Sequence, residues 1–171
     1  MLAAKAAALI KLARLDHGVM VALATFVGGF VAAGASLLSP PYSHRVLLGM
    51  AVGVLVEAGI FALNDYFNIE EDRINAPDRP LVRGDLTPGE ALALGVPCLI
   101  AGISLNLALN LEALLLVAAV VALGLLYNCR LKREGLLGNL LVASSTALPF
   151  IYGALVLESP PSVPRRTTHS L

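Results

Sequence analysis

The chain has no tryptophan, only two cysteines, and charged side chains at just 14% of its 171 positions. Each shortage excludes something. Cys98 and Cys129 lie in or beside apolar runs and match no metal-ligand spacing, so the sequence reads as two free thiols, not a disulfide framework or a zinc site. Acids and bases balance at a formal net charge of zero, so no global field draws in nucleic acid. His17, His44 and His169 are not spaced as a ligand pair. What is abundant is apolar: 57% of residues, with a mean hydropathy of +0.80, against about 45–50% apolar and about 25% charged in an average soluble domain. That composition belongs to an integral membrane protein.

Five apolar runs follow one another: Gly18–Leu38, Val46–Leu63 (broken only by Glu57), Ala91–Leu111, Ala113–Tyr127 and Leu136–Leu157. Runs of about 20 apolar residues are what a helix needs to cross hydrocarbon. The expected fold is therefore all-α, a polytopic bundle of about five transmembrane helices. Residues 1–157 form the domain, and the polar, proline-rich stretch 158–171 reads as a disordered tail. Met1 to Leu12 reads as an amphipathic lead-in helix, because Arg14, Asp16 and His17 interrupt before the first long run. Gly49 and Gly53, at GxxxG spacing, read as close helix packing.

With the N-terminus inside, Lys5, Lys11, Arg14, Arg73, Arg79, Arg83, Arg130, Lys132 and Arg133 fall on the cytoplasmic face, nine of the twelve Lys and Arg; Arg45, Arg165 and Arg166 fall opposite. The positive-inside bias makes this a multi-pass protein of the cell membrane, with its N-terminus and the 64–83 loop cytoplasmic.

That loop carries the chemistry. Asn64-Asp65-Tyr66-Phe67-Asn68-Ile69-Glu70-Glu71-Asp72 prolongs the second apolar run. If the helix continues, steps of about 100° bring Asn64, Asn68 and Asp72 within roughly an 80° arc, with Asp65 about 20° from Asp72 and Glu70 turned away. Crowded carboxylates suit a hard cation such as Mg²⁺, which is commonly held by one or two carboxylates plus substrate phosphates. Arg73, Arg79 and Arg83 follow, and guanidinium groups clamp phosphate oxygens. Pro77 and Pro80 break the helix, so the loop between them can fold Arg79 back over the site. The plain alternative is a solvated loop whose acids and bases pair with each other. Glu57 would be the ion residue of a small transporter, although the five runs show no convincing internal repeat.

The pattern Asn64-Asp65-x-x-Asn68-x-x-x-Asp72, followed by Asn75-x-x-x-Arg79-Pro80 and Gly84, resembles the first aspartate-rich motif, N-D-x-x-D-x-x-x-D, of the UbiA superfamily of intramembrane prenyltransferases. Together with the segment from Tyr127 to Asn139, it is similar to the archaeal digeranylgeranylglyceryl phosphate synthase branch. The resemblance implies an enzyme that uses Mg²⁺ and a prenyl diphosphate donor of geranylgeranyl type. The allylic C–O bond ionises, and a lipid or aromatic acceptor captures the carbocation, as in archaeal ether-lipid synthesis.

The site residues it implies are Asp65, Asp72, Arg79 and Lys132 for catalysis and Asn64, Asn68 and Asp72 for the metal. Arg73, Arg79, Lys132 and Tyr127 would hold the diphosphate, and Arg14 and Asp16, by position, the acceptor end. Position 68 is Asn where the family has Asp, which removes a charge from the metal set. The family also has about nine helices and a second aspartate-rich motif, whereas after Glu112 the only acids here are Glu134 and Glu158. A chain corresponding to the N-terminal part of that fold is expected to be inactive alone, with a complementing subunit as a further candidate partner. The competing expectation is a non-catalytic, degenerate membrane protein or assembly partner.

Overall fold

The structure is a computed structural model and describes residues 2–129 and 136–158, of which 2, 128, 129 and 136–145 are described by backbone alone. The described residues form an all-helical bundle with no strand. The elements are α1 (Leu2–Ala13), α2 (Leu15–Ala33, prolonged by a 3-10 turn over Gly34–Leu38) and α3 (Tyr42–Phe67). They continue with α4 (Ile69–Asn75), α5 (Pro80–Arg83), α6 (Pro88–Leu105, followed by a 3-10 turn over Asn106–Ala108), α7 (Leu111–Cys129) and α8 (Leu136–Leu155).

The five apolar runs correspond to α2, α3, α6, α7 and α8. Three stretches, Leu15–Leu38, Tyr42–Phe67 and Pro88–Ala108, are long and apolar enough to cross a membrane, while Leu111–Tyr127 and Thr146–Leu155 are shorter apolar helices. Each boundary has a local cause. Helix α6 starts three residues before its apolar run because Thr87 and Glu90 form a capping box: the Thr87 amide donates to Glu90 Oε2 at 2.8 Å, and the Glu90 amide donates to Thr87 Oγ1 at 3.3 Å. This satisfies helix-end amides that would otherwise lack partners. At the start of α7, Asn110 Oδ1 accepts from the Ala113 amide at 2.7 Å, an N-cap that turns the chain sharply back.

Helix α3 is the centre, packing on α2, α6, α7 and α8. Its Val46, Val52, Val56 and Leu63 join Leu99 of α6, Val117 and Val121 of α7, and Tyr152 of α8 in one buried core. Small residues set how closely the helices approach. A Cβ at Gly28 would collide with the Phe150 carbonyl and one at Gly153 with the Thr25 carbonyl, so α2 and α8 meet backbone to backbone. A Cβ at Gly53 would stand 2.8 Å from Val21, and one at Gly49 3.2 Å from Val156, the packing role that GxxxG spacing gives.

A second, smaller core of Ala8, Leu12, Ala62, Leu81, Leu86 and Ala91 docks α1 and α5 onto the far end of α3. The lead-in helix is thus fastened to the end of the bundle that carries the polar loop. Its Lys5 also pairs with Glu90. At the opposite end Arg45 donates to the carbonyl oxygens of Val156 (2.6 Å), Leu109 (3.0 Å) and Glu158 (2.8 Å).

Candidate functional site

Helix α3 continues past Leu63 and carries Asn64 and Asp65 on its last turn, but it does not run unbroken to Asp72. The chain bends at Asn68 (φ −106, ψ 17), which ends α3 and opens α4. The cause is the Asn68 side chain, whose Nδ2 donates to the Asn64 carbonyl oxygen at 2.7 Å and to Asn64 Oδ1 at 2.8 Å. Asn side chains compete in this way for helix carbonyls and bend the backbone. The bend is shallow: the Asn68 amide still donates to Asn64 O at 3.1 Å, and the Asp72 amide to Asn68 O at 2.8 Å. The helical register therefore survives, and the two carboxamides remain in contact.

Asp65 and Asp72 converge as the helical spacing predicts. They are 3% and 5% exposed, and one guanidinium holds both: Arg79 Nη1 donates to Asp65 Oδ1 at 2.7 Å and to Asp72 Oδ2 at 2.5 Å. The loop before α5 makes this reach. Asp72 O accepts from the Ala76 amide and Ala76 O from the Arg79 amide, and extended backbone at Arg79 (ψ 141) leads into Pro80 at the first turn of α5. Pro80 and Leu81 are buried and pin the loop. Two buried carboxylates left to face each other would repel strongly, and the shared guanidinium offsets this.

A second arginine closes the cluster from the other side. Arg14 joins α1 to α2 in a left-handed backbone conformation (φ 45, ψ 56), the one non-glycine residue with positive φ among those described. That geometry costs about 1–2 kcal/mol in a residue with a Cβ. It turns α1 away from the axis of α2 and sends Arg14 Nη2 to 3.4 Å from Asp65 Oδ1, with the guanidinium carbon 4.1 Å from the centre of the Phe61 ring. A cation over an aromatic face is attracted by the ring's quadrupole. His17 meets the same ring edge-on at 5.3 Å. Between these groups lies a cavity of about 280 Å³ lined by Lys11, Arg14, Asp16, Asp65, Arg79 and Pro80.

Other residues singled out in the sequence stand elsewhere. Arg73 is not brought to the cluster: it is exposed and pairs with exposed Glu70 at 3.0 Å, one helical turn away on the outer side of α4. Asp16 lines the cavity, but its side chain is 78% exposed and sits 3.2 Å from His17. Tyr127 is half-buried near the end of α7, and among the described residues no hydrogen bond links it to the cluster. Lys132 lies outside the described residues. Lys11 and Phe61 were missed in the sequence. Spacing gave no signal for Lys11, because α1 ends at Ala13 and Arg14 leaves the helix with φ 45.

The oxygen donors fit Mg²⁺ only in part. Asn64, Asn68 and Asp72 offer hard oxygens at successive turns, the ligand type that Mg²⁺ takes. Yet Arg79 and Arg14 already balance Asp65 and Asp72 in charge, and among the described residues no group of three or more His, Cys, Asp or Glu is placed to hold a metal. The set suits a cation that arrives with phosphate oxygens, not a bare ion.

The UbiA prenyltransferase family matches residues 21–164. A digeranylgeranylglyceryl phosphate synthase of Saccharolobus solfataricus is 43% identical over 115 residues, 67% of this chain and 40% of that protein. The synthase of the same name from Archaeoglobus fulgidus is 37% identical over 148 residues (85% and 48%), and that from Halobacterium salinarum 38% over 154 residues (89% and 54%). A solved structure from work on digeranylgeranylglyceryl phosphate synthase in membranes superposes with a TM-score of 0.81 at 27% identity, covering 91% of this chain and 54% of that one. The chain thus spans about half the length of the curated relatives it matches.

Proposed function

Because the chain belongs to the UbiA prenyltransferase family, we propose that its buried polar cluster receives the diphosphate of a geranylgeranyl-type donor, for transfer of the prenyl group to a glyceryl phosphate lipid. The family and its several apolar helices make it a multi-pass membrane protein. The charge bias of its loops supports a cytoplasmic position for the cluster. The names of the relatives support a phosphate-bearing glyceryl acceptor over an aromatic one.

The observation that carries the reading is the Asp65–Arg79–Asp72 bridge beside the Asn64–Asn68 pair, buried at the end of an apolar bundle. Prenyl transfer breaks the bond between the allylic carbon and the diphosphate oxygen. The electron pair leaves with the diphosphate, the acceptor hydroxyl oxygen bonds to the carbon, and its proton is released. Charge accumulates on the leaving diphosphate, so preorganised cations there lower the barrier.

Arg79 is built for this, since a guanidinium that bridges two carboxylates exchanges one of them for a phosphate oxygen without leaving its place. Asn64, Asn68 and Asp72 would hold Mg²⁺ together with the diphosphate, and the ion would supply further charge for the leaving group. Asp65 holds Arg79 in place through its 2.7 Å bond. The apolar helices behind keep water from the carbon.

The test is calorimetric binding of a non-hydrolysable geranylgeranyl diphosphate analogue to the detergent-purified chain, with and without Mg²⁺. Binding is expected to need Mg²⁺ and to weaken on the order of 100-fold in Asp72→Asn. Absence of binding by a chain that circular dichroism shows to be helical would overturn the reading and leave a non-catalytic relative.

A further inference from the structure

We propose that the cavity between α1, the α1–α2 junction and α5 is a phosphate-monoester subsite for the lipid acceptor, with Lys11 and Arg14 as its cations; this rests on the prenyl-transfer reading above. The cavity is about 280 Å³, room for a phosphate group. Its lining holds three cations and two acids, and the acids are committed elsewhere. Asp65 accepts from Arg79 at 2.7 Å, and Asp16 turns outward to His17.

Lys11 pairs with no carboxylate among the described residues. Its ammonium donates to the backbone carbonyl of Asp78 at 2.8 Å, which spends one of three donors and none of the charge. Arg14 touches Asp65 through one nitrogen at the long distance of 3.4 Å, so most of its fork is available to a better acceptor. Its left-handed backbone is the kind of local strain that persists where the surrounding structure fixes a functional side chain. Here α1 fixes it, through Leu12 and Ala8 in the second core.

Position assigns the cavity to the acceptor and not to the donor. The metal-type oxygens of Asn64, Asn68 and Asp72 do not line it, whereas Asp65 and Arg79 do. In the proposed arrangement those two residues would separate a donor diphosphate on the α3–α4 side from the acceptor anion on the α1 side. Prenyl transfer to a phosphate lipid must bring two anions close together. Separate cations on each side of a carboxylate–guanidinium wall make that tolerable. Arg79 belongs to both sides, and Lys11 and Arg14 belong to the acceptor alone.

The test measures binding to the purified chain in micelles. Four probes are compared: a prenyl glyceryl phosphate monoether, the same ether without its phosphate, phosphatidylglycerol, and the donor analogue with Mg²⁺. The phosphate ether is expected to bind about tenfold more tightly than the unphosphorylated ether and than phosphatidylglycerol. Lys11→Gln should remove that preference and Lys11→Arg restore it, while both variants hold the donor analogue within twofold of the original chain. Should Lys11→Gln fail to fold, the comparison of ethers on the unaltered chain still decides.

Equal binding of the two ethers, or of phosphatidylglycerol, with the donor analogue still bound, would sink the subsite and leave prenyl transfer standing. Loss of donor affinity in Lys11→Gln would reassign Lys11 to the donor and likewise overturn the proposal. Failure of the unaltered chain to bind either substrate analogue would remove the prenyl-transfer reading, and the subsite with it.

Discussion

Arg45 and Arg79 hold opposite ends of the central helix, with different kinds of partner. Among the described residues Arg45 donates only to backbone carbonyls, those of Leu109, Val156 and Glu158, and Asn110 Nδ2 adds a bond to Leu155 O at 2.7 Å. Nearby, Tyr152 donates its hydroxyl to Asn106 Oδ1 at 2.7 Å, and Asn106 Nδ2 donates to Gly102 O at 2.7 Å. The backbone acceptors among these lie on or just past the ends of α6 and α8 and before α7, where carbonyls lack intrahelical partners. Arg79 donates to two carboxylates on short side chains, and a phosphate or a metal ion competes for the same atoms. One end is closed by bonds to backbone carbonyls, which an anion or a metal-bound phosphate does not displace like for like from Arg45, and the other by ion pairs for which a charged ligand competes. The same residue type therefore marks a fixed end and an exchangeable one, and the partner decides which.

The largest test of this contrast is Arg79→Ala. It strands Asp65 and Asp72 together in a buried place, and loss of one partner of a buried ion pair costs about 3–5 kcal/mol. Denaturant unfolding in micelles, followed by circular dichroism, should show that loss. Adding Asp65→Asn and Asp72→Asn in the same chain should recover most of it, because the stranded charges are then gone. A triple variant no more stable than Arg79→Ala would mean that Arg79 supports the fold through packing and not through charge.

Next in size is Arg45→Gln at the fixed end. It leaves the part-buried carbonyls of Val156 and Leu109, and the exposed one of Glu158, short of a charged donor, worth about 2–3 kcal/mol in the same unfolding measurement. Affinity for the donor analogue should stay within twofold in the variant that remains folded. A fall in affinity as large as that of Asp72→Asn would show that the two ends are coupled and that the contrast is false.

Much of this was legible in the sequence, for identifiable reasons. The apolar runs gave the five main helices because burial in lipid is written in composition. The convergence of Asp65 and Asp72 followed from helical spacing alone. Pro77 and Pro80 announced the loop that returns Arg79.

What stayed hidden depended on single side-chain bonds or on docking. The bend at Asn68 comes from its amide reaching Asn64, which competes with an unbroken helix only in three dimensions. The exposure of Arg73 was readable after all: Glu70 turns away, and Arg73 follows it by three positions onto the same face. Lys11 was hidden because its place depends on a left-handed residue at Arg14 and on a second core that ties α1 to α3.

The smallest expected effect is the sharpest probe of the exchangeable end. Asn68 is 5% exposed and gives two hydrogen bonds from Nδ2 to the oxygens of Asn64. Asn68→Asp restores the carboxylate of the family pattern, but a carboxylate cannot donate, so it would face those same oxygens. Without metal the variant should be less stable by about 1–2 kcal/mol. Mg²⁺ should reverse that loss, because a cation relieves the new repulsion, and affinity for Mg²⁺ with the donor analogue should rise about tenfold.

The original chain should gain little stability from Mg²⁺ alone, since its carboxylates are already balanced by Arg79 and Arg14. No concentration of Mg²⁺ should rescue Arg45→Gln. A loss in Asn68→Asp that Mg²⁺ leaves untouched would mean that the Asn64–Asn68–Asp72 face holds no metal. The bond from Asn68 to Asn64 would then be a helix bend and nothing more.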